Sequence, residues 1–167
     1  FYFGGMTIEG SGSVHPAMLQ MGLLQRCQDN GVTLCAHTPM QGISREGEGF
    51  LVATSAGIIK AGEVVVGTNG YTGKKTPWLR RRLIQAASYI IATEERDEDE
   101  IRALIPNNRT MADSKRVLNY YRLSPDGRRV LFGGRARLAP GDASDRAGIL
   151  YRQMLDVFPQ LDGIKIS

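Results

Sequence analysis

Apolar residues follow a helical period early in the chain and strand-like patterns afterwards. Leucines, methionines and Cys27 recur three and four positions apart, which predicts one helix that starts at Ser13, has Pro16 in its first turn and ends at Asn30-Gly31. Short apolar runs predict strands around this helix, and residues 63–66 are typical of a strand covered on both faces. The predicted strands are residues 1–8, 32–35, 42–45, 50–54, 57–60 and 63–66.

The second half of the chain has a different pattern. A long strand is predicted at residues 84–93, an acidic surface helix at 97–104, and an amphipathic helix at 143–158 that ends at Pro159. Residues 111–134 predict three antiparallel strands, and the last two are joined by a tight SPDG turn.

These patterns predict a mixed α/β chain in two parts. The first is typical of a layered α/β domain that includes a β-meander, and the second is typical of an antiparallel sheet with flanking helices. We place the boundary near Tyr71, so that residues 1–71 form one domain and residues 72–167 the other. The first strand, residues 1–8, is assignable to either domain.

The net charge of +4 comes largely from a short basic run around Trp78. No RNA-binding, helix-turn-helix or zinc signature accompanies this run, so it indicates a solvated basic face and no nucleic-acid site. Cys27 and Cys35 lack metal or disulfide spacing, and we expect free, partly buried thiols in a reducing cytoplasm. No apolar run reaches the length of a membrane span, and no signal-peptide pattern is present.

Few residues point to chemistry by themselves. The sequence contains no GxGxxG, P-loop, GxSxG or metal-ligand spacing. The only histidines, His15 and His37, lie in predicted loops, where a structural role is favoured over catalysis. Strand alternation places Tyr120 and Arg122 on one sheet face, where a phenol and a guanidinium can hold a carboxylate. Surface charge beside a core tyrosine is the equal alternative, and the same ambiguity holds for Arg135.

The stretch VVVGTNGYTG, residues 64–73, places two glycines at the end of a predicted buried strand. Glycine lets a backbone approach a ligand closely, but a simple packing turn is favoured when the stretch is taken alone.

The order of the sequence phrases is more specific than any one motif. The chain contains, in this order, GSGSVHPAML, NGVTLCAHTPMQGI, GFLVATSAGIIKAGEVVVGTNGYTG, TPWLRRRLIQAASYIIATE and DSKRVLNYYRLSPDGRRVLFGGR. This series resembles the D-amino-acid oxidase-like family of FAD-dependent oxidoreductases over essentially the whole chain. Within the family it is most similar to the glycine oxidase, sarcosine oxidase and gamma-glutamylputrescine oxidoreductase type.

The resemblance implies a bacterial, cytoplasmic enzyme that oxidises the C–N bond of a small amine or amino acid and passes hydride to FAD. The chain would supply part of the FAD-binding domain, with a Rossmann-like α/β layer, and a C-terminally truncated substrate domain. The resemblance implies FAD contacts by Ser13, His15, Pro39, Met40, Thr68, Asn69 and Gly70. It implies that Tyr120 and Arg122 roof the flavin on the substrate side, and Tyr89 is expected to line the same face. No catalytic residue and no metal are assigned.

The family carries its dinucleotide-binding GxGxxG before this stretch, so we expect the chain to be the central part of a longer enzyme. Because the pyrophosphate site is missing, we expect the isolated chain neither to hold FAD tightly nor to turn over. Two alternatives stay open: a non-catalytic binding or assembly module with a basic face, and an FAD dehydrogenase with an acceptor other than oxygen. Neither the particular substrate nor the oligomeric state follows from the sequence.

Overall fold

The computed structural model describes residues 2–134 and 143–167. Within them the chain forms two antiparallel sheets and four α-helices, so the predicted mixed α/β class is confirmed. The chain divides into two compact units, one made of Phe1–Leu19 with Ala87–Ser167 and the other of Gln20–Ala86. The predicted domain boundary near Tyr71 is a separate question and stays a prediction.

The predicted first helix forms as α1, Pro16–Asp29, and it starts at Pro16 rather than at Ser13. Proline suits its first position, because the N–H that proline lacks has no partner within a helix there. The helix ends as predicted: Gly31 adopts a φ of 77°, and the Val32 N–H donates to the carbonyl of Cys27 at 3.0 Å. None of its side chains is buried among the described residues.

The predicted meander also forms. Its strands β1, β2 and β3 are Met40–Glu46, Gly49–Thr54 and Gly57–Ala61, and they pair antiparallel in chain order. Both connections are short; Gly47, with a φ of 58°, lies in the first, and Gly57, with a φ of 142°, begins β3 directly after the second. A short helix, α2, follows at Pro77–Arg80.

Several predicted strands do not form in the described part of the chain. Residues 2–8, 32–35 and 63–66 belong to no strand, and Val65 is 94% exposed where burial on both faces was expected. A segment becomes a strand only when its backbone pairs with a neighbour, and apolar composition alone does not supply that neighbour. These three segments therefore contribute no strand to either sheet in the described part of the chain.

The larger unit contains a four-stranded antiparallel sheet in the order β4-β7-β6-β5. The predicted strand at residues 84–93 is shorter than expected, since only Tyr89–Ala92 pairs, whereas three strands within residues 111–134 and the two predicted helices that follow residue 93 do form. The elements are β4 (Tyr89–Ala92), α3 (Glu98–Leu104), β5 (Met111–Ala112), β6 (Asn119–Leu123), β7 (Val130–Gly134) and α4 (Ala143–Val157).

One face of this sheet packs against α4 and forms the core. Val130 and Phe132 from β7 meet Leu150 and Met154 from α4, and all four side chains are fully buried. The Phe132 ring also stacks on Tyr121, with the ring centres 5.5 Å apart. Burial of each large apolar side chain contributes about 1.5–3 kcal/mol, so this layer holds the sheet in place.

Local signals fix the connections around the sheet. The Asp97 carboxylate caps α3 by accepting the Asp99 N–H at 3.0 Å. In the SPDG turn, Gly127 takes a φ of 72°, and its N–H donates to the Ser124 carbonyl at 2.9 Å.

Both edges of the sheet are short or covered. On the outer side of β4, Ala92 exchanges two backbone hydrogen bonds with Ser167, at 3.1 and 3.0 Å, and Thr93 bridges to Ile166. On the opposite edge, β5 contributes only two paired residues.

Candidate functional site

The sheet face opposite α4 carries Tyr120 and Arg122, two of the three residues predicted to bind the substrate. Burial alternates along β6, with Asn119, Tyr121 and Leu123 buried against the core. Tyr120 and Arg122 therefore point to the other face, as the sequence predicted.

Arg122 joins this face to the N-terminal segment. Its Nη1 donates to the carbonyl oxygen of Val14 at 2.9 Å. Because Val14 lies between Ser13 and His15, this contact brings the predicted flavin-side loop to the predicted substrate face. Both Ser13 and His15 are exposed there. The guanidinium has five N–H donors, so one such contact leaves donors for a carboxylate.

Tyr120 lies beside Arg122 on the same face and is held at its tip. Its hydroxyl is hydrogen-bonded to the hydroxyl of Ser88, which immediately precedes β4. In the register, Tyr120 faces Gly133 of β7, so the ring crosses that strand to reach Ser88.

Tyr89 lies on the other side of the sheet from Tyr120 and Arg122. It pairs with Gly134, which in turn pairs with Asn119 on the core face. Its ring packs against the core, with the Arg146 guanidinium 4.4 Å from the ring centre. The expectation that Tyr89 lines the face of Tyr120 is therefore wrong. The sequence does not determine how residues 84–93 align with the neighbouring strand. A shift of one residue in that alignment moves every side chain of the strand to the opposite face of the sheet.

The smaller unit contains the other predicted flavin residues, in two turns. The first turn leads into β1: the carbonyl of Pro39 accepts the Ser55 N–H at 3.2 Å, and Met40 pairs with Thr54.

The second turn is a single 3₁₀ turn at Asn69–Tyr71. The Thr72 hydroxyl donates to the Asn69 carbonyl at 2.7 Å and lies 2.8 Å from the Thr68 hydroxyl. The Gly70 carbonyl accepts a hydrogen bond from the Gln85 amide. These bonds hold the turn although most of it is exposed.

This second turn offers open backbone. A Cβ placed on Gly67 or on Gly70 would meet no other atom within 4 Å, so nothing in the chain occupies the space over these glycines. Asn69 has a φ of 43°, a conformation that asparagine tolerates better than most residues. An accessible turn of this kind fits close approach by a dinucleotide such as FAD.

A buried carboxylate was missed from the sequence. The Asp113 side chain is 1% exposed and accepts hydrogen bonds from the Asn119 N–H at 2.9 Å and the Asn119 amide at 3.1 Å. The Tyr2 hydroxyl donates to it at 3.4 Å. Burial, together with Tyr121 and Asp113, raises the pKa of Tyr2 far above its ordinary range. The cluster ties the N-terminal segment to β6 a second time.

Ser88 was also missed, although a signal for it existed. If β4 is taken as an antiparallel strand, Ser88 shares a face with Ile90, opposite to Tyr89. His15 and His37 join no metal-binding group, since no cluster of three ligands occurs in residues 2–134 and 143–167. Arg135 lies outside the described residues.

Cys27 and Cys35 are free thiols, but both are exposed, so the expectation that they are partly buried is wrong. Among the helices that the structure describes, none combines the length and the apolar character needed to cross a membrane.

The chain was compared with known protein families and curated proteins. The family model described as "FAD dependent oxidoreductase" matches residues 1–167. Gamma-glutamylputrescine oxidoreductase of Escherichia coli is 34% identical over 99% of the chain, which covers 39% of that relative. Two proteins named "Probable oxidoreductase OrdL", from Haemophilus influenzae and Rhizobium meliloti, are 31% and 30% identical over 99% of the chain. The chain spans 38% of each of these two relatives.

Proposed function

The chain belongs to the DAO family of FAD-dependent oxidoreductases, and from this premise we propose that it is the central part of an enzyme that oxidises the C–N bond of an amine or amino acid. Bound FAD supplies the hydride acceptor in such chemistry. The residues of this chain bind and orient the substrate and help to hold the cofactor.

The hydrogen bond between Arg122 and the Val14 carbonyl carries this proposal. It brings together two regions that are far apart in sequence and that the family resemblance assigns to the same reaction site. One is the loop of Ser13 and His15, proposed to lie on the flavin-ring side. The other is the sheet face of Tyr120 and Arg122, proposed to bind the substrate.

The division of roles follows from side-chain chemistry. Arg122 offers a planar cation whose remaining N–H groups can hold a substrate carboxylate, and Tyr120 offers an aromatic wall beside it. In the smaller unit, Pro39 and Met40 are proposed to meet the adenine end of FAD. The other turn, Thr68, Asn69 and Gly70, is proposed to present backbone to the dinucleotide. Tyr89 is left out of the substrate site because it faces the core.

The test uses the full-length enzyme that contains this chain. We expect the purified protein to carry FAD and its flavin absorbance to bleach anaerobically with one member of an amine panel. The panel contains gamma-glutamylputrescine, glycine, sarcosine and D-amino acids, and the name of the Escherichia coli relative puts gamma-glutamylputrescine first. A flavin-free protein, or one that no amine reduces, would contradict the proposal.

Peroxide formation on reoxidation separates an oxidase from a dehydrogenase. We expect one peroxide per turnover if oxygen is the acceptor. If the reduced flavin persists in air and a quinone reoxidises it, the enzyme is instead a dehydrogenase. Arg122→Ala should impair anaerobic bleaching in either case, whereas Arg152→Ala, on the exposed side of α4, should not.

A further inference from the structure

We propose that Ser88 and Gly133 are positioning residues that hold the Tyr120 ring flat across β7 and so keep the substrate face open beside Arg122. The inference rests on the proposed function, because it concerns the same sheet face. It assigns a role to two residues that touch Tyr120 and are not themselves proposed to touch the substrate.

Gly133 provides the space in which the ring lies. A Cβ at this position would be 2.1 Å from Cε2 and 2.6 Å from Cζ of Tyr120, distances that no two unbonded carbons can maintain. Any residue other than glycine would therefore push the ring away from the sheet. Side chains on strands ordinarily stand roughly perpendicular to the sheet, so the flat ring needs this gap.

Ser88 holds the far end of the ring. Tyr120 starts on β6, crosses β7 over Gly133, and reaches the Ser88 hydroxyl beside β4, so a single side chain spans three strands. The Ser88 hydroxyl also lies 3.5 Å from the Gly134 carbonyl, which anchors it to β7. With its hydroxyl bound in this way, the ring presents its apolar face outward.

The consequence is a shallow surface with a cation at one side. Arg122 lies two residues after Tyr120 on the same strand and supplies the charged group. Ile90 is 61% exposed and extends the apolar area of this surface. A tyrosine that stood upright would fill the space above this surface. Ser88 and Gly133 thus determine how bulky a carboxylate-bearing amine fits there.

A double-mutant cycle in the full-length enzyme tests the role of Ser88. We expect Ser88→Ala and Tyr120→Phe each to raise KM for the reducing amine about three- to tenfold, the effect of one hydrogen bond. kcat should change less than about twofold, since chemistry at the flavin is not altered. The double variant should be no worse than Tyr120→Phe alone, because Ser88 acts only through the Tyr120 hydroxyl.

Glycine substitutions test the role of Gly133. Gly133→Ala should raise KM about tenfold or more, with a larger effect for bulky amines than for small ones. Combination with Tyr120→Leu should restore much of the loss, since the ring that the methyl group displaces is gone. The control is Gly148→Ala, because a Cβ on this α4 glycine meets nothing within 4 Å.

An NMR measurement shows whether Ser88 positions the Tyr120 ring, independently of whether Tyr120 is needed for activity. In protein labelled with ¹³C at tyrosine Cζ, the Tyr120 signal is assigned by its loss in Tyr120→Phe, and Ser88→Ala should shift it. If the signal does not move, the positioning claim is overturned even where Tyr120 is needed for activity. If it moves but KM is unchanged while Arg122→Ala impairs binding, the specificity claim fails and the proposed function stands. If neither Tyr120→Phe nor Arg122→Ala affects flavin reduction, both proposals fall.

Discussion

Arg122 and Val14 are 108 positions apart in the chain, yet a 2.9 Å hydrogen bond joins the arginine Nη1 to the valine carbonyl oxygen. The contact fixes one side of the guanidinium on a backbone atom. A backbone acceptor cannot be removed by substitution of the valine side chain, so the arginine is the group to vary.

Arg122→Lys tests the need for a guanidinium at this place. Lysine keeps the charge but lacks the planar fork, so it cannot hold Val14 and a carboxylate in the same geometry. We expect KM for a carboxylate-bearing amine to rise about ten- to a hundredfold in the full-length enzyme, the range of a charged hydrogen bond. Arg152→Lys on the surface of α4 is the matched control, and equal effects of the two changes would contradict the assignment.

Thr72→Val tests the turn proposed to meet the dinucleotide. Valine keeps the shape but removes the hydroxyl that bonds Asn69 and Thr68, and Thr72 is buried. We expect FAD affinity of the full-length apoenzyme to fall about five- to tenfold, measured by fluorescence titration. The exposed Thr33→Val in the same unit should leave it unchanged. Unaltered affinity in both variants would remove the turn from the FAD site.

Phe132→Ala tests the core beneath the substrate face. The side chain is fully buried and stacks on Tyr121, so its removal leaves a cavity. We expect a loss of about 3–5 kcal/mol in the free energy of unfolding, measured by urea denaturation. Phe3→Ala makes the same chemical change at an exposed site and should cost less than about 0.5 kcal/mol.

Asp126 makes the free energy of unfolding depend on pH in the acidic range. The hydrogen bond from the Ser124 hydroxyl, followed by that from the Arg128 N–H, holds the pKa of Asp126 below its ordinary value. A lowered folded pKa means that the stabilisation is full above the unfolded pKa of about 3.9 and is lost as the pH falls through the folded pKa.

The comparison is between wild type and Asp126→Asn in urea denaturation at several pH values. We expect the wild type to be the more stable near neutral pH and the difference to disappear at about pH 2. Asp156→Asn, at an exposed position of α4, controls for the change in net charge. A difference that stays constant across the pH range would show that the turn hydrogen bonds do not depend on the carboxylate charge.

Sequence patterns predicted elements whose signals are local. The Asn30-Gly31 stop, the SPDG turn and the alternation along β6 each depend on neighbouring residues, and each forms as expected. The placement of Tyr120 and Arg122 on one face followed from that alternation alone.

Features that depend on distant partners were not predictable in this way. Residues 63–66 have the composition of a buried strand, but no described segment pairs with them. The bond between Tyr120 and Ser88 and the burial of Asp113 depend on the register of strands that are far apart in sequence. Tyr89 was placed on the wrong face for the same reason, since one residue of register decides its direction.

The two outer strands of the four-stranded sheet, β4 and β5, affect how readily the sheet can pair with another molecule. Ser167 already pairs with Ala92 along one margin, and β5 presents only two residues on the other. An extended segment from another molecule would find too few unpaired N–H and C=O groups to add itself as a further strand. We expect these short margins to disfavour edge-to-edge pairing between molecules.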